Sequence, residues 1–383
     1  MKRSLLIFEP RLGGHHLTWL RYVTEDCLAA GFRLSLAVDL RPGQREKIVG
    51  HLAELMDQVT LYSAYDAEGG YQGGSKTRAL ELLFQESGAE QVLLTNFDEV
   101  ASSWLRKAAC GLYPPACLKG RMHGVYFRPR FVVNPRWPPG NWLKALGFTR
   151  LRQQGWFASL LLLDEYLCPR VAAAYPGTRI HFLPDPWSGN FDRDQAQARQ
   201  QLGIPAERFV FLQYGIGTRR KGLHLVIEAM AGPGVRQGFL LCAGTIEDPA
   251  LSLGAAGLAA RGRAQVLNRY LTPEEEELCF AAADMVLIPY LGHFGSSAVL
   301  SRAAAAGKPV IASAEGLIAR RVRDHGLGLL FDTGKVTSLI VAMERAMAMG
   351  AEEKSRYQQA GRHYAATCTR QAFTTALIQT LLP

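Results

Sequence analysis

Three stretches of this chain combine residue types and spacings that can act on a phosphate or a sugar. The first is Gly215-Ile216-Gly217-Thr218-Arg219-Arg220-Lys221-Gly222, between an apolar run and a helical pattern. Three consecutive cations at a helix start oppose the positive end of its macrodipole, so the arrangement is unfavourable unless an anion sits there. A phosphate or diphosphate meets that need, with Lys221 as a point charge and Arg219 and Arg220 as forked donors; a solvated turn is the plainer alternative. The second is Leu291-Gly292-His293-Phe294-Gly295-Ser296-Ser297. Ser296 or Ser297 can cap the helix that follows, and the free amides above it form a second anion site flanked by His293 and Gly295. The third is Gly13-Gly14-His15-His16, directly after the first apolar run. Its glycines let backbone approach a phosphate or sugar, although an ordinary tight turn has the same composition. It is not the G-x-G-x-x-G fingerprint, so a nicotinamide or flavin cofactor gains little support.

Single residues add to these loops. His123, in Arg121-Met122-His123-Gly124, is expected to end a strand. A satisfied histidine in a cleft would look the same. Asp98 and Glu99 can bind hydroxyls of an acceptor, and are equally well explained as N-cap and first-turn acid of a helix. Asp192-Arg193-Asp194 has the spacing of a D-x-D metal motif, but it falls between the two halves and reads as a helix start. No metal is expected. The seven cysteines are odd in number, scattered and without a C-x-x-C pair, so neither a disulfide framework nor a zinc site is indicated.

The elements that must hold these residues alternate between short apolar runs and helical patterns, the signature of parallel βαβ units. In the first half, strands are expected at residues 4–8, 33–38, 58–62, 91–95, 117–122 and 179–183, with a long helix from 141 to about 161 inside a basic region. Two prolines and a glycine in residues 184–190 break the pattern, and the linker is placed there. The second half restarts with strands at 209–213, 239–243, 265–269, 285–289 and 309–312, and helices at 223–230 and 297–306. Thr272-Pro273-Glu274-Glu275 reads as a capping box opening another helix. A last helical stretch runs from about 352 to the end. The reading is an α/β chain of two Rossmann-like, doubly wound domains: residues 1–190, residues 191–365, and a C-terminal helix, 366–383, that packs back on the first domain. Ligands of such sheets bind outside the carboxyl ends of the strands, and the two sets of ends are expected to face one cleft.

With 383 residues, 48% of them hydrophobic, the chain is long enough for two cores and too apolar to be disordered. The longest apolar run, residues 156–163, is far short of the ~20 residues that span a bilayer, and the start is too short for a signal peptide. A cytoplasmic location is expected. The net charge of +9 is concentrated: no acid lies between Glu99 and Asp164, while ten Lys and Arg do. Trp104, Trp137, Trp142 and Trp156 share that stretch, a composition that suits an anionic membrane surface contacted through residues 104–156. Tryptophans in the core under a solvated basic face would read alike. No recognition helix, zinc finger or RNP pattern accompanies the charge, so nucleic acid is not an expected partner.

Leu202-Gly203-Ile204-Pro205, the run 209–213 with Gly215, Lys221-Gly222, the segment 303–311 (AAAAGKPVI) and Gly326-Leu327-Gly328-Leu329-Leu330 resemble the retaining glycosyltransferases of family four, the glycosyl transferases group 1, with the GT-B fold. The likeness spans most of residues 201–331. It implies transfer of a sugar from a nucleotide-sugar donor, held mainly by the second domain, to a glycan or lipid-linked acceptor held mainly by the first, with no cofactor and no metal. It places Gly13, Gly14, Gly215, Arg219, Arg220, Lys221, His293, Gly295, Ser296, Ser297 and Arg302 on the donor, His15, His16, Asp98 and Glu99 on the acceptor, and His123 beside the donor sugar. The family's two donor-loop glutamates, eight positions apart, are here Phe294 and Arg302; a third is Arg320, and the arginine usual five residues before the lysine is Ile216. A binding protein that keeps the fold without the chemistry, or a sugar-nucleotide epimerase, are the alternative readings.

Overall fold

The computed structural model describes residues 3–13, 16–134, 138 and 140–382. Its contacts divide the chain into two units, Met1–Leu183 with Phe373–Pro383, and Pro184–Ala372. The first division falls before the segment that reads as a linker, because that segment is fastened into unit 2. Asp185 is 7% exposed, and the Trp187 indole N–H donates to the Ala365 carbonyl at 2.9 Å. The second falls at 372/373 rather than 365/366. In unit 1, Phe373, Leu377 and Leu381 join Leu5, Ile7 and Trp19 in one core cluster, with the Phe373 ring edge-on to Trp19.

In unit 1 the strands are β1 (Ser4–Glu9), β2 (Arg33–Val38), β3 (Val59–Ser63), β4 (Gln91–Leu94), β5 (Met122–Tyr126), β6 (Phe157–Leu162) and β7 (Ile180–Phe182). They form one seven-stranded sheet in the order β3-β2-β1-β4-β5-β6-β7, with parallel pairings throughout. β1 is buried at every position, as a strand covered by helices on both faces must be. Unit 2 holds β8 (Phe209–Tyr214), β9 (Gly238–Ala243), β10 (Ala264–Leu267), β11 (Met285–Ile288), β12 (Val310–Ser313) and β13 (Gly328–Phe331), in the order β10-β9-β8-β11-β12-β13. In each sheet the chain first builds outward on one side and then crosses to the other. This leaves a switch point between β1 and β4 in unit 1 and between β8 and β11 in unit 2, where ligands of open parallel sheets bind.

The elements differ from the sequence reading at four places. Residues 116–118 form a short 3₁₀ turn, and the strand expected at 117–122 is instead β5, so His123 is its second residue rather than its end. The long helix of the basic region stops at Gln153; Gly155 takes φ +71° and the apolar run after it is the buried strand β6. A continuous apolar run has no periodicity to separate a buried helix from a buried strand. β13 is not among the expected strands, and the last helical stretch is two helices, Ala351–Thr367 and Arg370–Leu381. The capping box is present: the Thr272 hydroxyl accepts from the Glu275 amide while the Glu275 carboxylate accepts from the Thr272 amide.

Gly147 sets the position of the basic helix Gly140–Gln153. A β-carbon there would fall on the Leu105 backbone carbonyl, so only glycine lets this helix lie so close to helix Asp98–Ala109.

Candidate functional site

The two loops that leave the unit 2 switch point are the cationic turn after β8 and the serine loop after β11, and the fold joins them. The Leu291 amide donates to the Arg220 carbonyl at 2.8 Å, and the Arg220 guanidinium lies 3.3 Å from His293 Nδ1. Gly222, at φ +75°, packs so tightly on the Pro289 carbonyl that any β-carbon would collide with it. Gly215, at φ +93°, leaves room for the Lys221 ammonium, which lies 5.6 Å from the centre of the Tyr290 ring. Among the described residues no carboxylate pairs with Lys221, whereas Arg219 is paired to Asp248 at 3.2 Å. The helices Leu223–Ala231 and Ala298–Ala305 both start here, and neither has a side chain bonded to its first amides. Two helix N-termini without side-chain caps and a lysine without a carboxylate partner suit a diphosphate.

The serines do not cap, contrary to the sequence reading. Ser296 Oγ donates to Asp185 at 3.0 Å and accepts from the Arg321 guanidinium at 2.7 Å. Ser297 is the N-cap residue by position, and its side chain makes no cap bond. The Ser296 carbonyl lies 2.9 Å from His293 Nε2, and the Glu315 carboxylate accepts from the Gly292 amide at 2.5 Å. Buried Asp185 also accepts, through its carbonyl, from Ser301 at 2.9 Å. Burial raises the Asp185 carboxyl pKa, opposed by Arg302, Ser296 and Arg321. Sequence reasoning misses Asp185, Glu276, Glu315 and Arg321. Asp185 has a signal, its place between two prolines, but that signal reads as a linker.

In unit 1 the loops after β1 and β4 flank the switch point, and Glu9 bridges the two strands. Its carboxylate accepts from Thr95 Oγ1 at 2.8 Å and the Arg11 amide at 3.1 Å, and lies 2.9 Å from His16 Nδ1. His16 is thereby fixed at the first position of its helix. Gly13 is in the turn before it; Gly14 and His15 lie outside the described residues. Glu99 is held in ion pairs with Arg11, at 2.7 Å, and Lys76. Asp98 accepts from the Phe127 amide at 2.7 Å and lines a cavity; burial pushes its carboxyl up to about 6, against the Phe127 amide and Arg128.

His123 is 1% exposed within the sheet, its Nδ1 2.7 Å from Ser159 Oγ, well upstream of the carboxyl edge on which Asp98 sits. Burial, reinforced by Arg179, lowers its pKa from 6.5 to about 4. Between those two values the unfolded chain binds the proton and the folded one does not, so stability falls as pH drops through the window. A lowering of that size corresponds to about 3 kcal/mol. The melting temperature of unit 1 should therefore fall less steeply over that range in His123→Gln than in the wild type; equal slopes would clear the histidine of this role.

Residues 194–364 match the family model described as Glycosyl transferases group 1. The matched stretch lies within unit 2. The D-inositol 3-phosphate glycosyltransferase of Corynebacterium aurimucosum is 29% identical to this chain over 209 residues, 50% of the chain and 49% of that protein. The Mycobacterium bovis protein of the same name is 31% identical over 218 residues, 55% and 43%. The chain thus spans about half the length of the curated relatives it matches. HepE of Anabaena, solved in complex with UDP and glucose, is 16% identical and aligns over 99% of both chains with a TM-score of 0.68. This likeness shows the fold, GT-B with two Rossmann-like domains.

Against the group 1 glycosyl transferase pattern, three departures have a place in the fold. Phe294 is exposed, and Arg320 lies 3.4 Å from Asp324 on the surface. Arg302 is not available to a donor phosphate: it is paired to Glu276 at 2.5 Å, donates to the Ala298 carbonyl, and shares Glu276 with the Tyr214 hydroxyl. The carboxylate missing from position 302 thus has a counterpart on the neighbouring helix Pro273–Ala282. Asp194 caps helix Gln195–Leu202 through the Gln197 amide. Among the described residues no group of three or more His, Cys, Asp or Glu could hold a metal ion, and no helix is long and apolar enough to cross a membrane.

Proposed function

We propose that the chain transfers a sugar from a nucleoside diphosphate to a glycan or lipid-linked acceptor, retaining the configuration at the anomeric carbon and using no metal. The observation that carries this reading is the meeting of the cationic turn and the serine loop at the unit 2 switch point, with no carboxylate on Lys221 among the described residues and two helix N-termini without side-chain caps. As the bond from the anomeric carbon to the diphosphate oxygen breaks, positive charge grows on the ring and negative charge on the departing phosphate. Lys221, Arg220 and the loop amides stabilise the departing charge. The acceptor hydroxyl bonds to the anomeric carbon from the leaving-group side and gives its proton to a phosphate oxygen. No protein base is needed. On the acceptor side, Asp98 is the carboxylate open to a cavity, whereas Glu99 is consumed by ion pairs and His123 by the sheet.

HepE was solved with UDP and with UDP-glucose, which makes uridine nucleotides the first to try. A panel of nucleoside diphosphates in a thermal-shift assay tests the reading. A ligand at a hundredfold its Kd adds about 2.7 kcal/mol, and release of nucleoside diphosphate from the matching sugar donor should follow. A flat response to the whole panel would leave a fold without donor chemistry.

We extend the proposal to an anionic membrane surface. Trp104 and Trp156 are core residues, but Trp142, 54% exposed, and Leu146, 38% exposed, lie four residues apart on one face of helix Gly140–Gln153. Exposed Arg106, Lys107, Lys119 and Arg121 belong to the same stretch. Co-sedimentation with phosphatidylglycerol vesicles should weaken with salt and in Trp142→Ala. Failure to sediment at low salt would remove the membrane.

A further inference from the structure

The helix that begins at the serine loop ends at a second opening of unit 2. Helix Ala298–Ala305 is eight residues long, so about 12 Å separates its two ends. At its last residue lies a cavity of about 600 Å³, within the size range of small-molecule sites. One wall is the Trp187 indole, pinned by its N–H to the Ala365 carbonyl and edge-on to Phe191. Ala305, Ala306 and Ala366 are small apolar groups on the wall that leave the space open.

The charged groups around this cavity do not balance. Arg193 is neutralised by Glu277, its Nε 2.7 Å from the carboxylate. Arg362 is exposed and forms no ion pair among the described residues. Its Nε lies 3.6 Å from the point that a β-carbon on Gly307 would occupy, which brings it beside the residue preceding Lys308. Lys308 donates one proton to the Ala281 carbonyl at 2.8 Å. Burial pushes its ammonium down to about 8, with Asp284 opposing and Arg199 adding. Lys308 and Arg362 against Asp192 leave a net charge of +1 on the wall. A carboxylate supplies one negative charge and accepts from an ammonium and a guanidinium together, whereas a phosphate monoester, at about −1.5 to −2, overcharges the site. The indole face takes a flat aromatic body.

We propose that unit 2 binds an aromatic monocarboxylate in this cavity, its ring against Trp187 and its carboxylate held by Lys308 and Arg362. The site shares no residue with the cationic turn or the serine loop, and it stands independently of the transferase reading.

The test titrates the full chain with naphthalene-2-carboxylate, followed by calorimetry, with naphthalene-2-carboxamide as the uncharged control. The carboxylate should bind, and the amide about tenfold or more weaker, as loss of a charged hydrogen bond implies. Arg362→Gln should cost the carboxylate a similar factor and leave the amide unchanged. Arg362 has no ion pair to lose among the described residues, so this variant should melt with the wild type, and the test stands even where Lys308→Gln fails to fold. Ala366→Trp, which fills the cavity from an exposed helix position, should abolish binding of both compounds. Saturating UDP should not displace the carboxylate, and Lys221→Ala should bind it as the wild type does. No binding of the carboxylate, equal affinity in the wild type and Arg362→Gln, binding retained in Ala366→Trp, or displacement by UDP overturns the inference. Binding that depends on Arg362 in a protein indifferent to every nucleotide upholds the cavity and removes the transferase reading. The reverse pattern removes the cavity and leaves the donor site standing.

Discussion

In Lys221→Ala, stabilisation by the best nucleoside diphosphate should all but vanish and turnover of the sugar donor should fall by about a hundredfold or more. A charged hydrogen bond to phosphate is worth about 1.5–3 kcal/mol, roughly a ten- to hundredfold loss of affinity. Because charge on the diphosphate grows as the glycosidic bond breaks, the same lysine contributes more to the transition state than to the bound donor. The variant should fold normally. Lys221 has no ion pair to lose among the described residues, and its ammonium lies beside Gly215 and the Tyr290 ring. Arg219→Ala is the control, since that side chain is turned to Asp248. Equal nucleotide affinity in the Lys221 variant and the wild type would mean that the cationic turn does not hold the diphosphate, and the proposed function would lose its support.

Glu276→Gln should be the most destabilising conservative change in unit 2. The amide can still accept from Tyr214, but the charge that compensates mostly buried Arg302 is gone. Breaking one side of such a pair costs about 3 kcal/mol or more, because the surviving charge is left desolvated. For a unit of this size that is a fall in melting temperature on the order of ten degrees. Arg302→Gln should behave similarly, and the double replacement should cost much less than the two single changes together. Additive losses in this cycle would show that the pair is not coupled. Arg302→Glu, which restores the family's residue, should fail in the presence of Glu276 because two carboxylates would then share the site.

The order of strands and helices can be read from the chain because burial on both faces forces continuous apolar runs, and because glycines and prolines punctuate them. The cationic turn stands out as well: three cations at a helix start have no explanation in the local sequence, which motivates the proposed ligand. Reading fails where the cue is local and the cause is distant. Ser296 looks like a helix cap, but Asp185 and Arg321, remote in sequence, take its hydroxyl. Arg302 looks like a free cation beside a phosphate, but Glu276 from another helix neutralises it. His123 looks like the end of a strand because Cys117, Leu118 and Met122 precede it, yet the strand begins at Met122 and the ring is sealed in the sheet.

Residue types and their spacing thus established that the chain builds two parallel-sheet domains, and singled out the loops proposed to hold a ligand. The pairing order of the strands decided which loops touch and which charges remain uncommitted. The reason is physical: backbone preference and helix dipoles act within a few residues, whereas an ion pair or a shared switch point joins residues that only the folded sheet brings together.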